Sequence, residues 1–170
     1  MEEHLLRRYQ KVFSQNEGGL RNVGALREIY VLETNGQDWQ FFLPFLQTSP
    51  YSVEFLIDGE PRPLPERVED LFALTQNYPV ICIDRERLRV HCYCFAEEGM
   101  EFDVSAQDFQ DEATIGEMVA RLLDFIRTIG QVLHKVIILT PESAADFPLF
   151  RYDPSTKEEQ WFLEHIEAME

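Results

Sequence analysis

Apolar positions along this chain recur with a helical period of about 3.6 in some segments and a strand period of 2 in others. Residues 3–15 place Leu5, Leu6, Tyr9, Val12 and Phe13 on one stripe and predict a helix. Gly18-Gly19 and Asn22-Val23-Gly24 end it in a flexible connection. Residues 28–34 and 37–43 flank Asn35-Gly36, a pair suited to a type I′ turn. They predict a hairpin in which Tyr30 and Leu32 share a face with Trp39 and Phe41. Residues 51–57 read as a third strand. Pro61, Pro63 and Pro65 then forbid continued pairing on a central strand, and Pro65 suits the first turn of a short helix carrying Val68, Leu71, Phe72 and Leu74. Tyr78-Pro79 ends that helix.

Residues 80–84 and 88–95 predict a second hairpin, turning at Arg85-Glu86, and residues 100–104 a short strand after it. Thr114 and Glu117 read as a capping box for a long helix, about 114–129, with Ile115, Met118, Val119, Leu122, Ile126 and Ile129 inward and Gly130 as its stop. Residues 136–139 are a continuous apolar run and predict a buried strand. Residues 140–143 suit one helical turn, and 147–154 are irregular and aromatic. Ser155 with Glu158 reads as a second capping box, opening a terminal helix with Trp161, Phe162, His165, Ile166 and Met169 on its stripe.

Hairpins dominate this order, so the expected fold is α+β: a single domain, 1–170, with an antiparallel or mixed sheet of about five to seven strands packed by the long helix. Residues 1–24 and 155–170 read as helical extensions that can detach. The length, 170 residues, suits one domain.

Charge narrows the function. Asp and Glu number 31 against 15 Lys and Arg, a formal net charge of -16. That excludes nucleic-acid binding by phosphate neutralisation and docking on anionic membranes. No apolar run approaches the ~18–20 residues that span a bilayer. Met1-Glu2-Glu3-His4 lacks the basic and apolar regions of a signal peptide. The expectation is an acidic cytoplasmic domain of bacterial type, with its three cysteines reduced.

The densest chemical cluster is His91-Cys92-Tyr93-Cys94, with Cys82 nearby. Strand alternation separates it. Cys92 and Cys94 join Ile81, Ile83, Leu88 and Val90 as core, while His91 points the other way, on the side of Cys82, which pairs with Arg89 if the turn is at Arg85-Glu86. No metal or cofactor is expected there. His91, with Tyr93 or Arg89 beside it, is the only candidate catalytic group, as a general base on a strand face. No phosphate-binding glycine loop, nucleophile elbow, metalloprotease histidine spacing or EF-hand loop is present.

Between Arg89 and Arg121 there is no Lys or Arg, and the stretch carries Glu97, Glu98, Glu101, Asp103, Asp108 and Asp111 as interaction candidates. Phe147, Phe150, Arg151 and Tyr152 resemble the composition of a binding hot spot. The expected function is therefore non-enzymatic: a protein-interaction domain that attracts a basic protein partner by charge and buries aromatic anchors. Size, charge and fold class are those of immunity proteins, adaptors and secretion chaperones. The alternatives are a small enzyme or ligand-binding protein with a pocket between sheet and helix, and a nucleic-acid mimic built on residues 97–117. Self-repulsion favours a monomer or weak homodimer.

Overall fold

A computed structural model describes residues 2–14 and 25–169; the predicted glycine connection lies outside them. The fold is α+β, built on a single antiparallel sheet. Its strands are β1 (Leu26–Val31), β2 (Ser52–Ile57), β3 (Glu60–Arg62), β4 (Val80–Arg85), β5 (Leu88–Ala96), β6 (Gly99–Ser105), β7 (Ile137–Pro141), β8 (Phe150–Asp153) and β9 (Glu158–Trp161). They lie in the order β3-β2-β4-β5-β6-β1-β7-β8-β9, nine strands among the described residues where about five to seven were expected. The helices are α1 (Glu3–Val12), α2 (Gly36–Thr48), α3 (Val68–Phe72), α4 (Ile115–Leu133) and α5 (Leu163–Glu167).

The predicted first hairpin does not form. Residues 37–43 belong to α2, and β1 pairs with β6 and β7. Asn35 is extended and caps the helix: its side chain accepts from Gln37 N at 2.9 Å, and Asp38 Oδ2 accepts from Asn35 N at 2.8 Å. Asn-Gly serves a turn or a helix start equally well, and the spacing decides between them. Trp39, Phe42, Leu43 and Leu46 are buried at positions i, i+3, i+4 and i+7, a helical stripe.

Two capping boxes are replaced by turns. Thr114 donates its hydroxyl to Asp111 Oδ2 at 3.1 Å, and Glu117 pairs with Arg121 one helical turn on. Asp153 Oδ1 accepts from both the amide and the hydroxyl of Ser155, at 3.0 and 2.6 Å, which turns β8 into β9. The terminal helix predicted from Ser155 is therefore a hairpin up to Trp161, and α5 begins only at Leu163. Residues 140–143 make no helical turn, because Thr140 and Pro141 extend β7 beside Glu28 and Arg27. Gly130 does not stop α4, which runs on to a left-handed His134.

In the second hairpin Cys82 pairs with His91, not Arg89, and the chain turns at Glu86-Arg87. A shift of two residues leaves every side chain on its expected face. Pro61 lies on β3, an edge strand, where its missing N–H costs no ladder bond.

Helices α2 and α4 cover one sheet face. Phe102 of β6 meets Phe42 edge-on at 5.6 Å and Phe125 at 5.4 Å. Cys92 and Cys94 are fully buried on this face, as alternation required. Helix α1 docks on the body through Val12 and Phe13, the latter stacked on Phe109 at 3.9 Å. Buried Arg27 holds the end of α1 by donating to the carbonyls of Val12 and Ser14.

Candidate functional site

The other face of the sheet is where the half-exposed polar and aromatic side chains gather. Strand pairing builds it row by row. One row runs Leu56, Val80, Tyr93, Glu101, Tyr30, Ile138, Arg151 and Gln160 across eight strands. The next runs Glu54, Cys82, His91, Asp103, Glu28 and Thr140. Directly opposed side chains on neighbouring antiparallel strands stand about 4.5–5.5 Å apart at Cβ. Glu101 is thus flanked by Tyr93 on one side and Tyr30 on the other.

A groove of about 270 Å³ opens over this point. Its lining includes Tyr30, Tyr93, Phe95, Glu101, Ile138 and Ala145. Phe95 is 55% exposed and lies parallel to Tyr93, ring centres 5.6 Å apart. A register shift between Tyr93 and Ala96 marks an irregularity of the kind that adds local twist to a strand. The turn beyond is pinned to α2, where Trp39 Nε1 donates to the Glu97 carbonyl at 3.1 Å.

The carboxylates beside the groove are held differently. Glu28 Oε2 accepts from the Tyr30 hydroxyl at 2.6 Å and from Ser143 N at 2.9 Å, so the loop after β7 folds over it. Asp103, 3% exposed, meets His91 Nδ1 at 3.0 Å. Burial, then the charges of Glu28 and Asp103, push the Glu101 carboxyl above its ordinary value, against a hydrogen bond with Tyr30. Burial and the Glu28 hydrogen bond raise the Tyr30 hydroxyl. Burial and Asp103 push the Tyr93 hydroxyl up to about 12. The Asp103 hydrogen bond raises His91 against its own desolvation.

Of the candidate catalytic groups, Tyr93 lines the groove. Arg89 is turned to Asp84, donating at 3.0 and 3.1 Å, and His91 to Asp103. Of the acidic candidates, Glu98 and Glu101 also line it, whereas Asp103 belongs to the neighbouring row and is not among the lining residues. Glu97 sits against Gly36 at the start of α2. Asp108 is on the 3-10 helix Ala106–Phe109, and Asp111 is used by the turn before α4.

The aromatic candidates are not an exposed patch. Phe150 and Tyr152 point into the core, because β8 alternates and its other side carries Arg151, which donates to Asp153 at 2.9 Å. Phe147 stacks on His165 at 4.1 Å. The residues that sequence reasoning overlooked are Tyr30, Phe95 and Glu28. Alternation held the signal for Phe95: if Cys92 and Cys94 face the core, Tyr93 and Phe95 share the face of His91.

Among the described residues no group of three His, Cys, Asp or Glu side chains is placed to hold a metal ion, and no helix is long and apolar enough to cross a membrane. No protein-family model matches the chain, and no curated protein or solved structure matches it.

Proposed function

We propose that this protein is a non-enzymatic interaction domain of the cytoplasm that captures a basic segment of a partner protein on the open face of its sheet. The role would be that of a bacterial immunity protein, adaptor or secretion chaperone, with the chain a monomer or weak homodimer. The observation that carries the reading is the groove over Glu101. Its lining residues include the carboxylates of Glu33, Glu98 and Glu101 and, among the described residues, no lysine or arginine, beside the exposed ring of Phe95. Acidic groups around an aromatic anchor attract and then hold a cationic segment.

An enzyme with a pocket between sheet and helices stands behind this reading. Phe42, Phe102 and Phe125 pack one part of that space, and a cleft of about 260 Å³ lined by Tyr51, Arg85, Leu88, Arg121 and Asp124 lies between α4 and the β4–β5 hairpin, where that second reading would place its ligand. The acids of residues 97–117 are distributed over a turn, a strand, a 3-10 helix and α4, which favours a protein partner over mimicry of a nucleic-acid backbone.

The test is capture from the source lysate at low and high salt with the wild type and Phe95→Glu, followed by cross-link mapping. A stoichiometric protein should be retained at low salt, weakened at high salt and lost with Phe95→Glu, with cross-links on β5 and β6. No such protein, or cross-links confined to α1 and α4, overturns the reading.

A further inference from the structure

We infer that Glu101, with Tyr30 and Tyr93 on either side, is a recognition site for one guanidinium group, the side-chain end of an arginine. This rests on the open-face reading and names what that face selects.

Size comes first. The groove holds about 270 Å³, at or below the ~300–1,000 Å³ of pockets that enclose whole small molecules. That leaves room for a side chain and part of its neighbours rather than for an enclosed small molecule. Chemistry comes second. The floor is a carboxylate whose neighbours across both strand pairings are tyrosines. A cation seated on Glu101 meets the carboxylate below and aromatic rings at its sides, and each interaction gains strength as water leaves. Ile138 and Ala145 extend the lining with apolar surface suited to a methylene stem.

Geometry selects arginine over lysine. A guanidinium is planar, presents paired donors to a carboxylate and stacks on rings, whereas an ammonium is a strongly hydrated point charge. The site also carries an unmet demand. Burial, and then the like charges of Glu28 and Asp103, disfavour the ionised Glu101, with a Tyr30 hydrogen bond offsetting only part of this. A bound cation relieves that strain. So does removal of the charge, which makes Glu101→Gln a clean probe: it should fold at least as stably as the wild type while losing the ligand.

The experiment titrates the full chain with tetra-arginine amide, tetra-lysine amide and tetra-citrulline amide, following the ring signals of Tyr30, Tyr93 and Phe95 by NMR. Citrulline keeps arginine's shape without its charge. Tetra-arginine should shift the three rings saturably and bind at least tenfold tighter than either of the others. Glu101→Gln should weaken it at least tenfold with the melting temperature unchanged or higher. Glu60→Gln, which removes one charge from the β3 edge, should have little effect.

Equal losses in Glu101→Gln and Glu60→Gln overturn the site and leave general electrostatic attraction. Equal binding of tetra-lysine overturns the preference for guanidinium. Shifts confined to other residues, or no saturable shift, overturn it outright. The wider reading fails separately, when partner capture survives Phe95→Glu.

Discussion

The backbone of Gly130 lies against the ring of Tyr152. A Cβ at position 130 would stand 2.8 Å from Tyr152 Cδ1 and 2.9 Å from its Cε1, with Ile137 Cγ1 at 3.3 Å. The glycine lets α4 approach β7 and β8 closely, and it does this from inside the helix. Gly130→Ala gains about 1 kcal/mol of helix propensity and loses about 1–3 kcal/mol to overpacking. The expected net effect is destabilisation of about 1 kcal/mol, read by urea denaturation. A stabilised variant would mean that the ring moves aside freely.

Arg27 ties α1 to the sheet. Burial lowers its guanidinium to about 10, against the charge of Glu142, so it stays charged at neutral pH. Arg27→Met leaves the carbonyls of Val12 and Ser14 without this donor. Charge-assisted bonds of this kind contribute about 1.5–3 kcal/mol each, so a loss of about 3–6 kcal/mol is expected from the two. Hydrogen exchange should show α1 opening before the sheet. Unchanged protection of α1 would show that Val12 and Phe13 hold it by packing.

Asn35→Ala removes the acceptor for Gln37 N and half of the box that starts α2. The expected cost is about 1 kcal/mol, seen as a lower midpoint in thermal or urea unfolding. Asn35→Asp keeps the acceptor and should retain most of the stability. Equal losses in the two variants would assign the effect to something other than the cap.

The His91–Asp103 contact makes stability depend on pH. Asp103 raises His91 in the folded state, so the protonated ring contributes stability that is full below its unfolded value of about 6.5 and fades as pH rises through the higher folded value. Cys82, Asp84, Arg89, Tyr93 and Glu101 face the same region; Arg89 works against the shift and Asp84 with it. The stability gap between wild type and His91→Gln should therefore be larger near pH 6 than near pH 8. In Asp103→Asn the His91 ring should titrate lower by NMR. Parallel stability curves for wild type and His91→Gln would remove the pair from the pH response.

The amino-acid sequence by itself determined the local and alternating features. Hydrophobic period located α4 and the strands β2, β4, β5 and β7, and Pro61, Pro63 and Pro65 ruled out a central strand after β2, although the edge strand β3 that holds Pro61 was not expected. Alternation put Cys92 and Cys94 in the core and His91 opposite them. The net charge of -16 follows from composition alone, and the cationic partner read from it is a proposal.

Tertiary structure decided the features that depend on partners distant in sequence. Asn35-Gly36 is compatible with a turn or a cap, and the outcome follows from β1 pairing with β6 and β7 while Trp39, Phe42, Leu43 and Leu46 reach the core. Ser155 looked like a helix start because its spacing to Glu158 fits a capping box, but its amide and hydroxyl both donate to Asp153, which turns the chain instead. Gly130 looked like a stop because its reason, the ring of Tyr152, arrives 22 residues later in another strand. The groove has the same origin. Tyr30, Tyr93 and Glu101 lie on three strands, and only the β5-β6-β1 order places a carboxylate between two tyrosines.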